Sequence, residues 1–140
     1  MTTPGPILQT DRLILRPFAP DDLEALAAIN ADAQVMRHFP ETWSAARSAQ
    51  VLEHWVTRWQ AGGPAFSAVE DRATGALLGM CGLSRPEGLP ISPCTEVGWR
   101  LKPSAWGKGI ATEAARAWLA WGWEQGLSEI LAFAPEPNMP

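Results

Sequence analysis

Apolar and polar residues alternate through "DRLILRPF", with Leu13 and Leu15 on one side and Ile14 and Arg16 on the other, the period-two mark of a strand. The spacing then changes. In "APDDLEALAAIN", Leu23, Leu26 and Ala27 form a helical stripe, Pro20 suits a first turn, and Asp21 and Asp22 favour its positive end. A second helix is predicted after Thr42, whose hydroxyl can cap it, running to about Ala61. Leu52, Trp55, Val56 and Trp59 fall on one face of it. Gly62-Gly63-Pro64 ends that helix, and "AFSAVED", a turn at "RATG" and "ALLGMCGLS" then read as an antiparallel hairpin. The segment from Arg85 to Pro93 is rich in Pro and Gly and reads as a loop.

"TEVGWRL" predicts the next strand, with Val97, Trp99 and Leu101 on one face and Glu96, Gly98 and Arg100 on the other. The helix that follows carries Ile110, Ala114, Ala117, Trp118 and Trp121 along one side, and Gly126 with Leu127 predicts a glycine C-cap. "SEILAF" is the last predicted strand, so strand, crossover helix and parallel strand make a βαβ unit appended to an otherwise antiparallel sheet. The predicted class is α+β.

Composition narrows the function. A length of 140 residues predicts a single domain over 1–140, large enough to bury a core. No apolar run approaches the roughly 20 residues of a membrane-spanning helix, and "MTTPGPILQTDR" lacks the pattern of a signal peptide. Cys81 and Cys94 have no CxxC spacing and no neighbouring histidines, which predicts no metal site and suits a reducing cytoplasm. A formal charge of −4 argues against a nucleic-acid binder and is compatible with a cationic acceptor. The chain has eight tryptophans and no tyrosine.

The strongest chemical signal is Trp106-Gly107-Lys108-Gly109, between the "TEVGWRL" strand and its helix. A helix start exposes about four N–H groups without internal partners, at the positive end of the dipole. Glycines there let backbone approach a ligand closely, and the ligand such a site favours is phosphate. A tight turn with no ligand remains open from these residues alone. A nucleotide P-loop is excluded, because Lys108 is followed by Gly109 rather than Ser or Thr. A degenerate dinucleotide fingerprint is weak: Glu129 lies about 20 residues on, but the third glycine is missing and "KPSAW" intervenes.

The stretch "TEVGWRLKPSAWGKGIATEAARAWLAWGWEQGLSEI" resembles the acyl-CoA-binding core of the GNAT superfamily of N-acyltransferases, and "TDRLILRPFAPDDLEAL" resembles the opening of its ribosomal-protein-alanine N-acetyltransferase branch. The signature Q/R-x-x-G-x-G/A falls on Trp106, Gly107, Lys108, Gly109, Ile110 and Ala111, with Trp at the first position as that branch commonly has. The resemblance implies a mixed, mostly antiparallel sheet with flanking helices, splayed where acyl-CoA lies. It implies acetyl-CoA as cosubstrate, its pyrophosphate on the N–H groups of Trp106 through Thr112 and its pantetheine arm along Val97, Gly98 and Trp99. Asn138 matches an asparagine that commonly contacts pantetheine. An N–H near Val97 would polarise the thioester carbonyl, and Glu96 would serve as base.

Direct attack needs a neutral amine, an oxyanion donor and an acid for the thiolate. Glu96 reads equally as a structural ion-pairing or solvated residue. No tyrosine is present to serve as the acid. His38 and His54 read as surface positions, Cys81 as a core thiol, Cys94 as incidental and the last helix's tryptophans as core. Phe39 and Trp43 could edge an acceptor site.

Relatives continue past the asparagine with another helix and two strands, so the resemblance predicts a chain incomplete at its C-terminus. Two functions follow: an N-acetyltransferase acting on a protein N-terminus or a small-molecule amine, or a non-catalytic acyl-CoA-binding relative. Neither calls for nucleic acid, membrane or metal, and homodimer formation is left open.

Overall fold

The computed structural model describes residues 5–37, 39–84, 95–127 and 129–132. In chain order the elements are β1 (Leu8–Gln9), β2 (Leu13–Arg16), α1 (Leu23–Ala31), α2 (Ala45–Gln60), β3 (Phe66–Asp71), β4 (Leu77–Ser84), β5 (Glu96–Leu101), α3 (Ile110–Glu124) and β6 (Leu131–Ala132). Single 3-10 turns at Pro20–Asp22 and Pro103–Ala105 lead towards α1 and α3. The strands form one sheet in sequence order. Every neighbouring pair is antiparallel except β5 and β6, which are parallel across α3. The α+β class, the β3–β4 hairpin and the terminal βαβ unit all stand as predicted.

Two details differ. β1 is a two-residue strand paired with β2 at Leu8↔Leu15 and Gln9↔Ile14, too short to leave a periodic trace. The cap of α2 is Ser44, whose hydroxyl accepts from the Arg47 N–H at 3.1 Å, and Thr42 lies outside the helix. The end of α3 follows the prediction. Gly126 takes φ +89°, its N–H reaches the Trp123 C=O at 3.0 Å, and the Leu127 N–H reaches the Gly122 C=O at 3.1 Å. That pair of bonds is the Schellman arrangement. The Arg85–Pro93 loop lies outside the described residues.

The two faces of β5 bury different partners. Val97 pairs opposite Leu83, and both point to α3, where Gly122 permits close approach: a Cβ there would meet Leu83 Cδ1 at 3.1 Å. Ala114 and Trp118 of α3 are fully buried on that side with Leu83. Trp118 meets Trp59 of α2 at a tilt and Trp121 edge-on, with ring centroids 5.9 and 5.5 Å away. The other face carries Gly98 and Arg100 and meets α1 through Asn30; Gly98 also faces the Phe66 ring of β3, which meets Trp55 of α2 edge-on at 5.7 Å. A second small core of Ile29, Val35 and Met36 lies here, with Phe39, Trp43 and Trp106 against it. Among the described residues no helix is long and apolar enough to cross a membrane.

Candidate active site

The chain leaves β5 through the 3-10 turn and is fixed there by Trp106. Its N–H donates to the Pro103 C=O at 3.0 Å, and its indole Nε1–H donates to the Leu101 C=O at 2.8 Å. Trp106 therefore builds the loop, and its own N–H is committed. The glycines that follow take φ +73° at Gly107 and +74° at Gly109, a left-handed region that costs other residues about 1–2 kcal/mol. Packing does not require them: a Cβ on Gly107 would meet nothing within 4 Å, and one on Gly109 only Arg12 Nη2 at 3.7 Å.

Their consequence is a row of donors. The N–H groups from Gly107 through Thr112 have no hydrogen-bond partner among the described residues, and the first satisfied one is Glu113, bonded to the Gly109 C=O at 3.0 Å. With the dipole of the fifteen-residue α3 behind them, these groups have the chemistry that suits an anion. Lys108 is exposed beside it, and among the described residues its ammonium has no ion pair.

Sequence reasoning missed the tether that holds this helix start. Arg12 Nε lies 2.7 Å from Glu113 Oε1, the Arg12 N–H donates to Oε2 at 3.1 Å, and Thr10 Oγ1 donates to the same oxygen. Arg12 Nη1 also reaches the Lys108 C=O at 2.8 Å. Burial pushes the Glu113 carboxyl up, but the Thr10 and Arg12 hydrogen bonds and the Arg12 charge outweigh it and hold it below the usual carboxylate range. Arg12 and Glu113 stand 101 residues apart, and no local pattern records such a pairing. Beside the tether a groove of about 490 Å³ runs past Thr10, Gly109, Thr112 and Arg116.

Upstream of the loop, β5 pairs with β6 in parallel at Glu96↔Leu131 and Val97↔Ala132, the last described residues of β6. Among the described residues Gly98, Trp99, Arg100 and Leu101 have no strand on that edge. Glu96 is partly exposed at the start of the strand, and its Oε1 accepts from Ser84 Oγ at 3.0 Å. A Cβ on Gly98 would meet the Phe66 ring at 3.1 Å, so the strand there forms a floor beside an aromatic wall. Ile110 is buried at the helix start and Ala111 partly so; both offer backbone rather than side chain.

Other candidates separate clearly. Cys81 is fully buried, and burial pushes its thiol up to about 12, so it is a core residue with no thiolate to offer. His54 is exposed on α2. His38, Cys94 and Asn138 lie outside the described residues. Phe39 and Trp43 meet beside β5, each facing Arg100, a cluster the sequence did not reveal. Among the described residues no three His, Cys, Asp or Glu side chains gather to hold a metal ion.

Residues 12–140 match the family described as Acetyltransferase (GNAT) domain. This chain belongs to the GNAT acetyltransferase family. The GNAT chain is 32% identical to YkkB of Bacillus subtilis over 84% of its own length and 69% of YkkB's. It is 28% identical to the FsC-acetyl coenzyme A-N(2)-transacetylase of Aspergillus fumigatus, over 96% of its length and 60% of that enzyme's. Among solved structures, an acetyltransferase from Agrobacterium tumefaciens superposes with a TM-score of 0.80 at 28% identity, covering 96% of this chain and 77% of that one. A ribosomal-protein-S5-alanine acetyltransferase from Vibrio fischeri superposes at 0.72 with 19% identity, covering 96% and 77%. At that identity it attests the fold. Family membership makes acetyl-CoA the expected donor and an amine the expected acceptor.

Proposed function

We propose that this GNAT protein transfers an acetyl group from acetyl-CoA to a primary amine, on a protein N-terminus or a small molecule, by direct attack on the thioester. The observation that carries the proposal is the row of unpartnered N–H groups from Gly107 to Thr112 beside two left-handed glycines. A diphosphate is the ligand that such a row, a helix dipole and a free lysine favour together. The pantetheine arm would then lie along β5 from Leu101 towards Gly98, with Trp99 and Val97 lining it and Asn138 as a further contact.

The reacting carbonyl would lie beside Val97, where its backbone N–H stabilises the developing oxyanion. Glu96 would receive the amine proton, directly or through water. An ammonium of pKa about 8–10 is mostly protonated at neutral pH, so removal of that proton is work a nearby carboxylate can do.

The test is a Gly107→Asn substitution. Asparagine tolerates the left-handed backbone better than other side chains, and open space surrounds the position. Stability should stay within about 1 kcal/mol of wild type, while the new side chain stands where the diphosphate would lie. Saturating acetyl-CoA should raise the wild-type Tm by roughly 3–6 °C and leave the variant's unchanged. An equal rise in both proteins would move the donor site away from this loop. A rise without thiol release across amines would leave a binding protein rather than an enzyme.

A further inference from the structure

Resting on that reading, the acceptor side of the sheet carries a charge that no carboxylate among the described residues balances. Arg100 shares a strand face with Gly98 and Glu96, and its Cα lies roughly 7 Å from that of Gly98 by strand geometry. Its Nη1 donates to Asn30 Oδ1 at 2.7 Å. Asn30 is fully buried and held in that orientation by its own Nδ2, which donates to Ser48 Oγ at 3.0 Å. Two rings flank the guanidinium, Phe39 at 4.9 Å and Trp43 at 4.7 Å from ring centroid to Cζ. The Trp43 ring also carries Arg47, at 4.2 Å.

Two cations thus share one indole, and among the described residues neither has a carboxylate partner. Burial first, and the charge of Arg47 second, pull the Arg100 guanidinium down to about 10, still charged at neutral pH. The contrast within the same sheet is Arg16, which is also partly buried but holds Asp22 through two bonds of 2.8 and 2.9 Å and Glu70 through a third at 2.9 Å. An arginine needed only to complete the fold is paired in that way. Among the described residues, Arg100 uses one of its five donors, on a neutral oxygen.

A planar fork, fixed from behind by a buried amide and by two rings, with a second arginine at its rim, is built to receive a carboxylate. We infer that the acceptor amine carries a carboxylate a few atoms from its nitrogen, bound by Arg100 and Arg47 while the amine lies beside Gly98 and Glu96. The net charge of −4 suggests the opposite preference for the chain as a whole. At contact distance the local field decides, because screening removes remote charges within about 8–10 Å.

Matched acceptors test this: β-alanine against β-alaninamide, and glycylglycine against glycylglycinamide, assayed with acetyl-CoA by thiol release. The N-acetylated forms of all four are titrated calorimetrically for binding. Removing the carboxylate lowers the amine's basicity and frees more neutral amine, so a preference for the acids has to come from recognition. The acids should exceed their amides by about tenfold or more in kcat/KM and in affinity. Arg47→Gln, at an exposed position, should shrink that ratio to about threefold or less while the acetyl-CoA thermal shift persists. Arg100→Lys, which keeps the charge but loses the fork, should fall between.

Acids and amides treated alike, or acetylated acids that do not bind, would overturn the inference. The titrations need no turnover, so that outcome stays distinct from a failed donor site, which the acetyl-CoA shift reads separately.

Discussion

At the scale of single residues, Glu96 has an identified neighbour and an open side. Ser84 Oγ donates to one carboxylate oxygen, which orients the group without neutralising it. If Glu96 takes the proton, Glu96→Gln should lower kcat by about 10²–10³-fold near pH 7 with KM for acetyl-CoA unchanged. The deficit should shrink as the pH approaches the acceptor's own pKa, where the amine deprotonates unaided. A kcat indifferent to the substitution at every pH would leave Glu96 as a partner of Ser84 alone. Gly98, two residues on, has a different purpose, since any side chain would press on the Phe66 ring. It keeps the floor flat where the reacting groups would meet.

At the scale of elements, α3 depends on a contact made far away in sequence. Glu113 in its first turn is gripped by Thr10 and Arg12 from the segment joining β1 to β2, so the donors of the glycine loop are aimed by the opposite end of the chain. Because the folded carboxyl titrates below its ordinary value, its contribution to stability is complete above about pH 4.3 and is lost as the pH falls through the lower folded value. Urea unfolding of wild type and Glu113→Gln should therefore differ at pH 7 and converge towards pH 3. A gap that stays constant with pH would mean the tether works by shape alone.

The strands, the three helices and the glycine loop were legible in the sequence because each is written in local periodicity or in a turn residue. The tether, β1 and the Arg100 cluster were not. Arg12 pairs with Glu113 and Arg100 with Asn30 across 101 and 70 residues, and apolar patterning says nothing about which polar groups will meet. Even a local feature was misplaced by two residues: Thr42 and Ser44 both offer a capping hydroxyl, and the fold selects Ser44. The polarity of "TEVGWRL" was legible, but not that its arginine would lack an acid.

At the scale of the whole molecule, two differently built layers meet on β5. The α3 side is a tight apolar pack around Trp118, where truncation to alanine would cost about 3–5 kcal/mol. The α1 and α2 side also buries apolar groups such as Phe18, Leu26 and Trp55, but it carries polar ones as well, with Asn30, Arg100 and Arg47 set among aromatic rings. One strand thus serves both: its α3 face anchors it, its edge from Gly98 to Leu101, unpaired among the described residues, suits a donor, and its other face suits an acceptor. The strand adds a metric property. From Val97 to its end at Leu101, β5 advances by four residue steps, roughly 13 Å of extended chain. If the glycine loop holds the phosphates and Val97 the thioester, a rod of fixed length separates the two, and β5 would act as a ruler. An acyl carrier too short to span it, such as S-acetyl-N-acetylcysteamine or acetyl phosphate, should transfer poorly at any concentration at which acetyl-CoA saturates. Turnover with such a donor at rates comparable to acetyl-CoA would show that the rod measures nothing.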